Sequence, residues 1–436
     1  MDNKFQKITG LITSATGSLL AATGAHASEA TSEGIAGWDV DVAVLIYSEP
    51  DRVSALEPAI SAKKTYDDES ILSFKLVLDS LTGASHNGAT ATDTAQTFTR
   101  PSGNGSYSAD AGETPLDDTF KDTRVSFTAG YEMPVDRMNR VVFGGNVSNE
   151  YDFFSVGGSA TWLKDINQRN TTLSAGFSFE YDTIKPVGGF ADPLSEMRGN
   201  DQSTNKEDTT DNRVMSEVLL GVTQVVDRNT LVQFNYGFAL SDGYHNDPYK
   251  VISVVDDTTG ETVAPTTSTL AGRYIYENRP DSRNKQSLFG KVKRYLSGDV
   301  LDASYRYMWD DWDVVSHTID MRYRWNMSGT QYLEPHVRYY SQQAAEFYRH
   351  SITETEANSQ SYGEYLSADY RLGDMVGTTL GIKWGFVTSG GHKSSVRLEY
   401  YKQTGDSSPS DAIGIQKTQD LYPDVDAFIF QYNYEF

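Results

Sequence analysis

The 436-residue sequence contains no cysteine. That excludes disulfides, thiolate metal sites and cysteine nucleophiles. No stretch approaches the ~18 apolar residues of a membrane-spanning helix, and mean hydropathy is −0.49. Basic residues are scarce: 37 Lys and Arg stand against 60 Asp and Glu, for a formal charge of −23. This argues against nucleic acid as a partner, since phosphates need Lys and Arg, and against a basic patch gripping anionic lipid. Histidine is sparse at 7, and no HExxH, GxSxG or P-loop pattern occurs. One membrane solution survives these absences, because a β-barrel spans with alternating strands of low average hydropathy.

What the sequence has in quantity is aromatic residues, with 27 Tyr against 19 Phe and 6 Trp. A tyrosine excess suits a surface that is apolar at the ring and wet at the hydroxyl, as a lipid–water boundary requires. The spacing is more telling. In "DAFIFQYNYEF" (426–436), Phe428, Phe430, Tyr432, Tyr434 and Phe436 recur at every second position. A period of two puts them on one face of a strand. "TTLSAGFSFEY" (171–181), "LVQFNYGFAL" (231–240), "DVLDASYRYMW" (299–309) and "HTIDMRYRW" (317–325) alternate in the same way. A helix would repeat at three and four instead.

Connections fall into two classes. "KDINQRN" (164–170), "VVDRN" (225–229), "LSGD" (296–299) and "NMSG" (326–329) are short and rich in Asp, Asn, Gly and Ser, as tight hairpins require. Segments near 82–119, 182–211 and 241–284 are long, polar and acidic. That asymmetry is expected of outer-membrane barrels, with short periplasmic turns and long outer loops. The pattern predicts an all-β fold: a transmembrane antiparallel barrel of about 16 strands, an even number because both ends are expected to be periplasmic. The strands are expected at 37–48, 52–66, 70–81, 121–132, 140–150, 154–164, 170–181, 212–226, 229–240, 285–295, 299–310, 313–326, 330–345, 363–388, 392–404 and 424–436. A turn at "GDMVG" (373–377) would make the count odd, so 363–388 reads as one long bulged strand.

The N-terminus carries Lys4 and Lys7, then an uncharged, mildly apolar stretch ending in Ala25-His26-Ala27. This reads as a cleaved secretory signal peptide over 1–27, with 28–436 as a single barrel domain. The expected location is the outer membrane of a Gram-negative cell, in contact with its lipid and lipopolysaccharide.

If the aromatic face meets lipid, the other face lines the lumen. By parity that face holds Lys75, Asp79, Arg124, Glu132, Glu180, Lys291, Lys293, Asp302, Arg306, Asp310, Asp320, Arg322, Arg324, Glu334, His336, Arg338, Arg397 and Glu399. In a soluble sandwich the same residues would be a solvent face. Their mixed signs permit either a wet channel with opposed charge ladders or a network that narrows it, with cross-strand pairs among Asp302, Arg306, Asp320, Arg322 and Arg324. Three functions stay open: a porin-like passage for small polar solutes, a non-conducting surface scaffold or adhesin, and a barrel hydrolase built on His336 with Glu334 and Arg338. No catalytic residue, cofactor or metal ligand is assigned. The acidic loops "WDDWDV" (309–314) and "SDGYHNDPY" (241–249) can hold Ca²⁺ or Mg²⁺ as divalent partners, although ordinary solvated loops look the same.

"DSLTGASHNGATATD" (79–93), "NEYDFFSVGGSATW" (149–162) and "RLEYYKQTGD" (397–406) follow one another in an order that resembles an uncharacterised, domain-of-unknown-function family of outer-membrane β-barrels. Where this chain has Ser85-His86-Asn87-Gly88, that family usually reads Ser-Pro-Asn-Gly. The resemblance implies fold and location and no activity. It also implies that Phe436 is an assembly signal read by the barrel-insertion machinery.

Overall fold

The computed structural model describes residues 37–50, 52–83, 86–99, 106–117, 121–197, 206–207, 210–265, 272–422 and 424–436. The expected signal segment, and Ser85 of the motif, lie outside the described residues.

Sixteen antiparallel strands close into one barrel. They are numbered β1 (Asp39–Ser48), β2 (Ser54–Thr65), β3 (Ile71–Thr82), β4 (Lys121–Asp136), β5 (Asn139–Asn149), β6 (Phe153–Ile166), β7 (Thr171–Ile184), β8 (Asp211–Asp227), β9 (Thr230–Gly243), β10 (Ser282–Leu296), β11 (Asp299–Asp310), β12 (Val315–Ser328), β13 (Gln331–Gln342), β14 (Met375–Val387), β15 (Lys393–Gly405) and β16 (Val425–Glu435). Each pairs with its neighbours in sequence, and β1 pairs with β16 from Asp41 opposite Glu435 to Ser48 opposite Phe428. Closure leaves no open edge, so every backbone group within the span has a partner without water.

One expectation is corrected. The stretch 363–388 is not a single bulged strand; only Met375–Val387 joins the barrel. Leu366, Ala368, Tyr370 and Leu372 do alternate, but they are buried among other loops and not set against lipid. Tyr370–Leu372 forms a 3₁₀ turn. The strand count stays even because this segment was never a strand.

The outward face is apolar. Leu220, Phe234, Leu288, Tyr305, Ile319, Leu380, Leu398 and Phe428 are all exposed. Trp162, Trp325 and Trp384 point outward near the end where β1 starts and β16 finishes, the terminus end of the barrel. There Trp162 Nε1 donates to Asn139 Oδ1 at 3.2 Å and the Tyr323 hydroxyl donates to Asp299 at 2.7 Å. Such rings bury an apolar body in lipid and keep a polar tip wet. The interior face is mostly polar. The seam is different: Tyr47, Ala55, Leu81 and Ala427 form an inward apolar cluster there.

Loop length segregates by end. The terminus end has only tight turns, at 66–70, 137–138, 167–170, 228–229, 297–298, 329–330 and 388–392. In one, Ser297 and Gly298 both adopt positive φ, as a two-residue hairpin between twisted strands requires. The opposite end carries all the long connections, at 83–120, 185–210, 244–281, 343–374 and 406–424. Two of these, 343–374 and 406–424, are not among the long segments named from the sequence, although the expected strands leave gaps at 346–362 and 405–423.

The lipid-facing assignment makes a prediction. Leu220 lies near the middle of β8 and is half exposed. Leu220→Arg should lower folding stability in bilayers by about 2–4 kcal/mol. Leu219→Gln, one residue away on the inner face, should leave lipid insertion intact. Heat-modifiable gel migration after refolding into vesicles checks both.

Candidate functional site: a charged interior beneath a loop-built cap

Five long loops leave the barrel at points spread around its circumference, yet they share one buried structure across the mouth. Its centre is a three-stranded sheet in the order Tyr274–Tyr276, Val251–Val255, Ser351–Thr353. The central strand is buried along its whole length. Alternate residues build two layers. Val251, Tyr274 and Tyr276 pack with Phe98, Tyr107 and Met197 on one side. Ile252, Val254, Ile275 and Ile352 pack with Leu366 and Ala368 on the other. The apolar runs "VISVV" and "YIY" sit inside a segment that reads as an acidic loop, and continuous short apolar runs are the mark of strands buried on both faces.

The motif at 79–93 threads this cap. Val251 N donates to Asn87 O at 2.9 Å, Thr90 N donates to Ser253 Oγ at 3.0 Å, and Gln96 Nε2 donates to Thr90 O at 3.0 Å. The last long loop is tied in through Ile415 N to Thr259 O at 2.8 Å and Gln416 Nε2 to Ser351 Oγ at 2.8 Å.

Under the sheet lies a buried ionic cluster that parity reasoning did not reach. Arg279 Nη2 donates to Asp369 Oδ2 at 2.7 Å and to Glu277 Oε2 at 2.9 Å. Arg371 Nε donates to Asp369 Oδ1 at 2.7 Å, and its Nη2 donates to Asp247 at 3.0 Å. The Ser367 hydroxyl donates to Glu277 at 2.6 Å. Asp369 is fully buried, and burial alone would push its carboxyl up. The facing Arg371, Lys250 and Arg279 more than reverse this and hold it well below the usual carboxylate range. Glu277 is pushed up, chiefly by burial. Asp247, from an acidic loop of a kind that can hold a cation, accepts from Arg371.

The interior residues read from parity sort into partnered and unpartnered groups. Asp79 and Arg124, opposite each other in register, meet at 3.3 Å. Lys291 pairs with Asp302 at 2.8 Å. Glu180 accepts from Asn146 at 3.4 Å, Glu132 pairs with Arg140 at 2.9 Å, and Asp310 accepts from Arg283 Nε at 2.8 Å. Arg324 stacks on the Tyr332 ring at 3.8 Å.

His336 sits between two carboxylates, Asp320 on Nε2 at 2.9 Å and Glu399 on Nδ1 at 2.8 Å. Gly381 lies between His336 and Glu399 in the register, and a Cβ there would fall 2.6 Å from Glu399 Cγ, so the missing side chain lets Glu399 lean across. Arg322 and Arg397 add to the same carboxylates at 3.5 and 3.8 Å. The partners of His336 therefore come from β12 and β15, while Glu334 and Arg338 on its own strand are not among them. For Lys75, Lys293, Arg306, Glu334 and Arg338 no ion pair closer than 4.0 Å is formed among the described residues. Phe436 donates its backbone N–H to Val40 O at 2.9 Å and sets its ring 4.7 Å from Tyr434.

At the acidic tips, Asp311 is held by Asn284 and His245 by Ser241. Among the described residues no three His, Asp or Glu side chains converge as metal ligands would.

The ionic cluster predicts how the cap responds to substitution and to pH. Arg371→Ala strands Asp369 and Asp247, and should cost the cap about 3–5 kcal/mol. Asp369, with its carboxyl held low, stabilises the cap above its unfolded value of about 3.9, and loses that contribution as pH falls through the lower folded value. Glu277, held high, acts in the opposite sense: its contribution is full below about 4.3 and is lost as pH rises through its folded value. Cap protection should therefore hold or increase from neutral pH to about 4.3 and fall below about 3.9. Amide exchange over 251–255, corrected for intrinsic rates, measures it.

No curated protein matches the chain in sequence. Among solved structures, the ferric enterobactin receptor PfeA of Pseudomonas aeruginosa aligns over 86% of this chain and 55% of its own, at 8% identity and a TM-score of 0.42. The chain thus spans about half the length of that receptor. A structure described as a bacterial polysaccharide outer membrane secretin aligns over 92% of this chain and 98% of its own, at 10% identity and a TM-score of 0.40. A loop L8 deletion mutant of OmpT, an outer membrane protein of Vibrio cholerae, aligns over 92% and 98%, at 9% identity and a TM-score of 0.40. The family described as protein of unknown function (DUF3570) matches residues 9–436, and the chain, a 16-stranded barrel, belongs to that family.

Proposed function

We propose that this protein is a passage for small polar solutes across the outer membrane, held shut at its outer mouth by the cap. One observation carries the reading. A cap with two buried apolar layers spans the mouth, while the barrel below it keeps a charged interior. A barrel that served only as an anchor would have no need of interior charges such as Lys293, Arg306 and Arg338, which form no ion pair within 4.0 Å among the described residues. Desolvated charge is expensive, so unpaired interior charge is better supported by a watery lumen than by a dry one.

The scaffold reading draws on the same cap, whose outer surface could receive a partner. The hydrolase reading has less support, because both ring nitrogens of His336 are engaged by carboxylates.

Planar-bilayer recording tests the proposal. The intact protein should conduct weakly or in rare steps. Val254→Asp, which puts a charge into the buried cap sheet, should raise conductance by an order of magnitude or more while the barrel stays heat-modifiable. Bilayers that stay sealed with both proteins would remove the passage and leave the scaffold.

A further inference from the structure

The chain as a whole is strongly acidic, yet one wall of its interior is not. Between β10 and β15 the inward face carries Lys285, Lys293, Arg306, Arg338 and Lys383, none with a carboxylate within 4.0 Å among the described residues. The carboxylates in that sector are occupied, apart from Glu334, which lies opposite Lys383 in register without closing to an ion pair. Asp302 pairs with Lys291. Asp310 is taken by Arg283. Asp320 lies opposite Arg338 in register but is hydrogen-bonded to His336 and ion-paired with Arg322. Glu399 is drawn across Gly381 to the other nitrogen of His336. The His336 clamp thus engages Asp320, the acid that lies opposite Arg338.

Arg306 and Arg338 flank β12. Arg306 is opposite Thr318, and Arg338 is opposite Asp320, one inward-facing position further along. Two guanidiniums are therefore offered to the lumen from neighbouring rows, with a hydroxyl residue beside them. Besides Glu334, interior carboxylates that form no ion pair among the described residues include Glu57 on β2 and Glu217 on β8; Glu217 is near enough for its charge to act on Lys285 and Arg306 without closing on either. The Arg306 guanidinium also lies 6.0 Å from the Phe289 ring. Planar forked donors of this kind suit a carboxylate or phosphate group.

We infer that Arg306 and Arg338 form an oxyanion-binding station in the barrel interior, and that the solutes it accepts carry a carboxylate or phosphate. This rests on the passage proposed above and names the class of solute. The two can fail separately.

The first test uses the Val254→Asp protein in a bilayer under a KCl gradient. Its reversal potential should show chloride preferred over potassium, and phosphate should reduce the chloride current. Arg306→Gln with Arg338→Gln should lower the chloride preference several-fold and relieve the phosphate effect. Lys291→Gln, which removes a cation already paired with Asp302, should change little. Potassium preference, or a preference untouched by the double substitution, overturns the inference.

The second test needs no conduction. Inorganic phosphate and acetate, each titrated against the folded protein in detergent at constant ionic strength, should raise the unfolding temperature of the intact chain and not of the doubly substituted one. A shift with phosphate alone assigns the station to phosphate groups, and a shift with both extends it to carboxylates. Equal shifts in intact and substituted proteins, or none in either, overturn it. Sealed bilayers with a shift confined to the intact chain would end the passage and keep the station. Heat-modifiable migration confirms that each variant has closed its barrel.

Discussion

The ladder that joins the first barrel strand to the last is the constraint on which everything else depends. In hydrocarbon an unpaired backbone N–H or C=O costs several kcal/mol, so a sheet can cross only if it has no edge. The pairing of β1 with β16 removes that edge. Once the sheet is closed, strand parity is no longer free. A slip of one residue in any strand would carry its Phe and Tyr into the lumen and its Lys, Arg, Asp and Glu into lipid. The alternation of greasy and charged residues and the closure of the ring are one requirement seen from two sides.

Closure also fixes where the loops begin. Five long connections are tethered around the ring at one end, and their apolar stretches have no lipid to face. They bury one another instead. Val251 to Val255 find partners in loops that are far apart in sequence, and the buried Asp247, Glu277, Arg279, Asp369 and Arg371 satisfy each other beneath them. The interior has a second such closed set at His336. There a histidine and two carboxylates are bonded to one another, and Arg338, opposite one of them, is left without an ion pair among the described residues. Charge pairing in one place determines charge availability in the next.

Much of this was legible in the sequence. Strands such as β7, β9 and β11 announce themselves by unbroken alternation, and parity alone puts Asp79, Arg306, Asp320 and His336 on the inner face. Parity cannot say who meets whom. Asp302 is spent on Lys291 and not on Arg306, and Asp320 on His336 and not on Arg324, because register and side-chain reach decide the pairs. The cap was the larger omission. Its core is assembled from fragments of three to five residues, each too short to stand out within acidic loops. The misread strand at 363–388 has the same origin. Leu366, Ala368, Tyr370 and Leu372 keep a period of two because they bury against a cap, and periodicity reports burial without naming what does the burying.

The absence of native cysteine allows a direct test of the central claim that alternate residues face lipid and water. Single cysteines placed in turn from Val232 to Leu240 on β9, in the bilayer-inserted protein with its cap loosened, can be probed with a water-soluble maleimide and, through an attached fluorophore, with a lipid-borne quencher. The account predicts a strict two-residue rhythm: positions 233, 235, 237 and 239 react from water, and 232, 234, 236, 238 and 240 are quenched from lipid. Uniform reaction along the strand, or labels at 234 and 238 that never feel the lipid quencher, would contradict it.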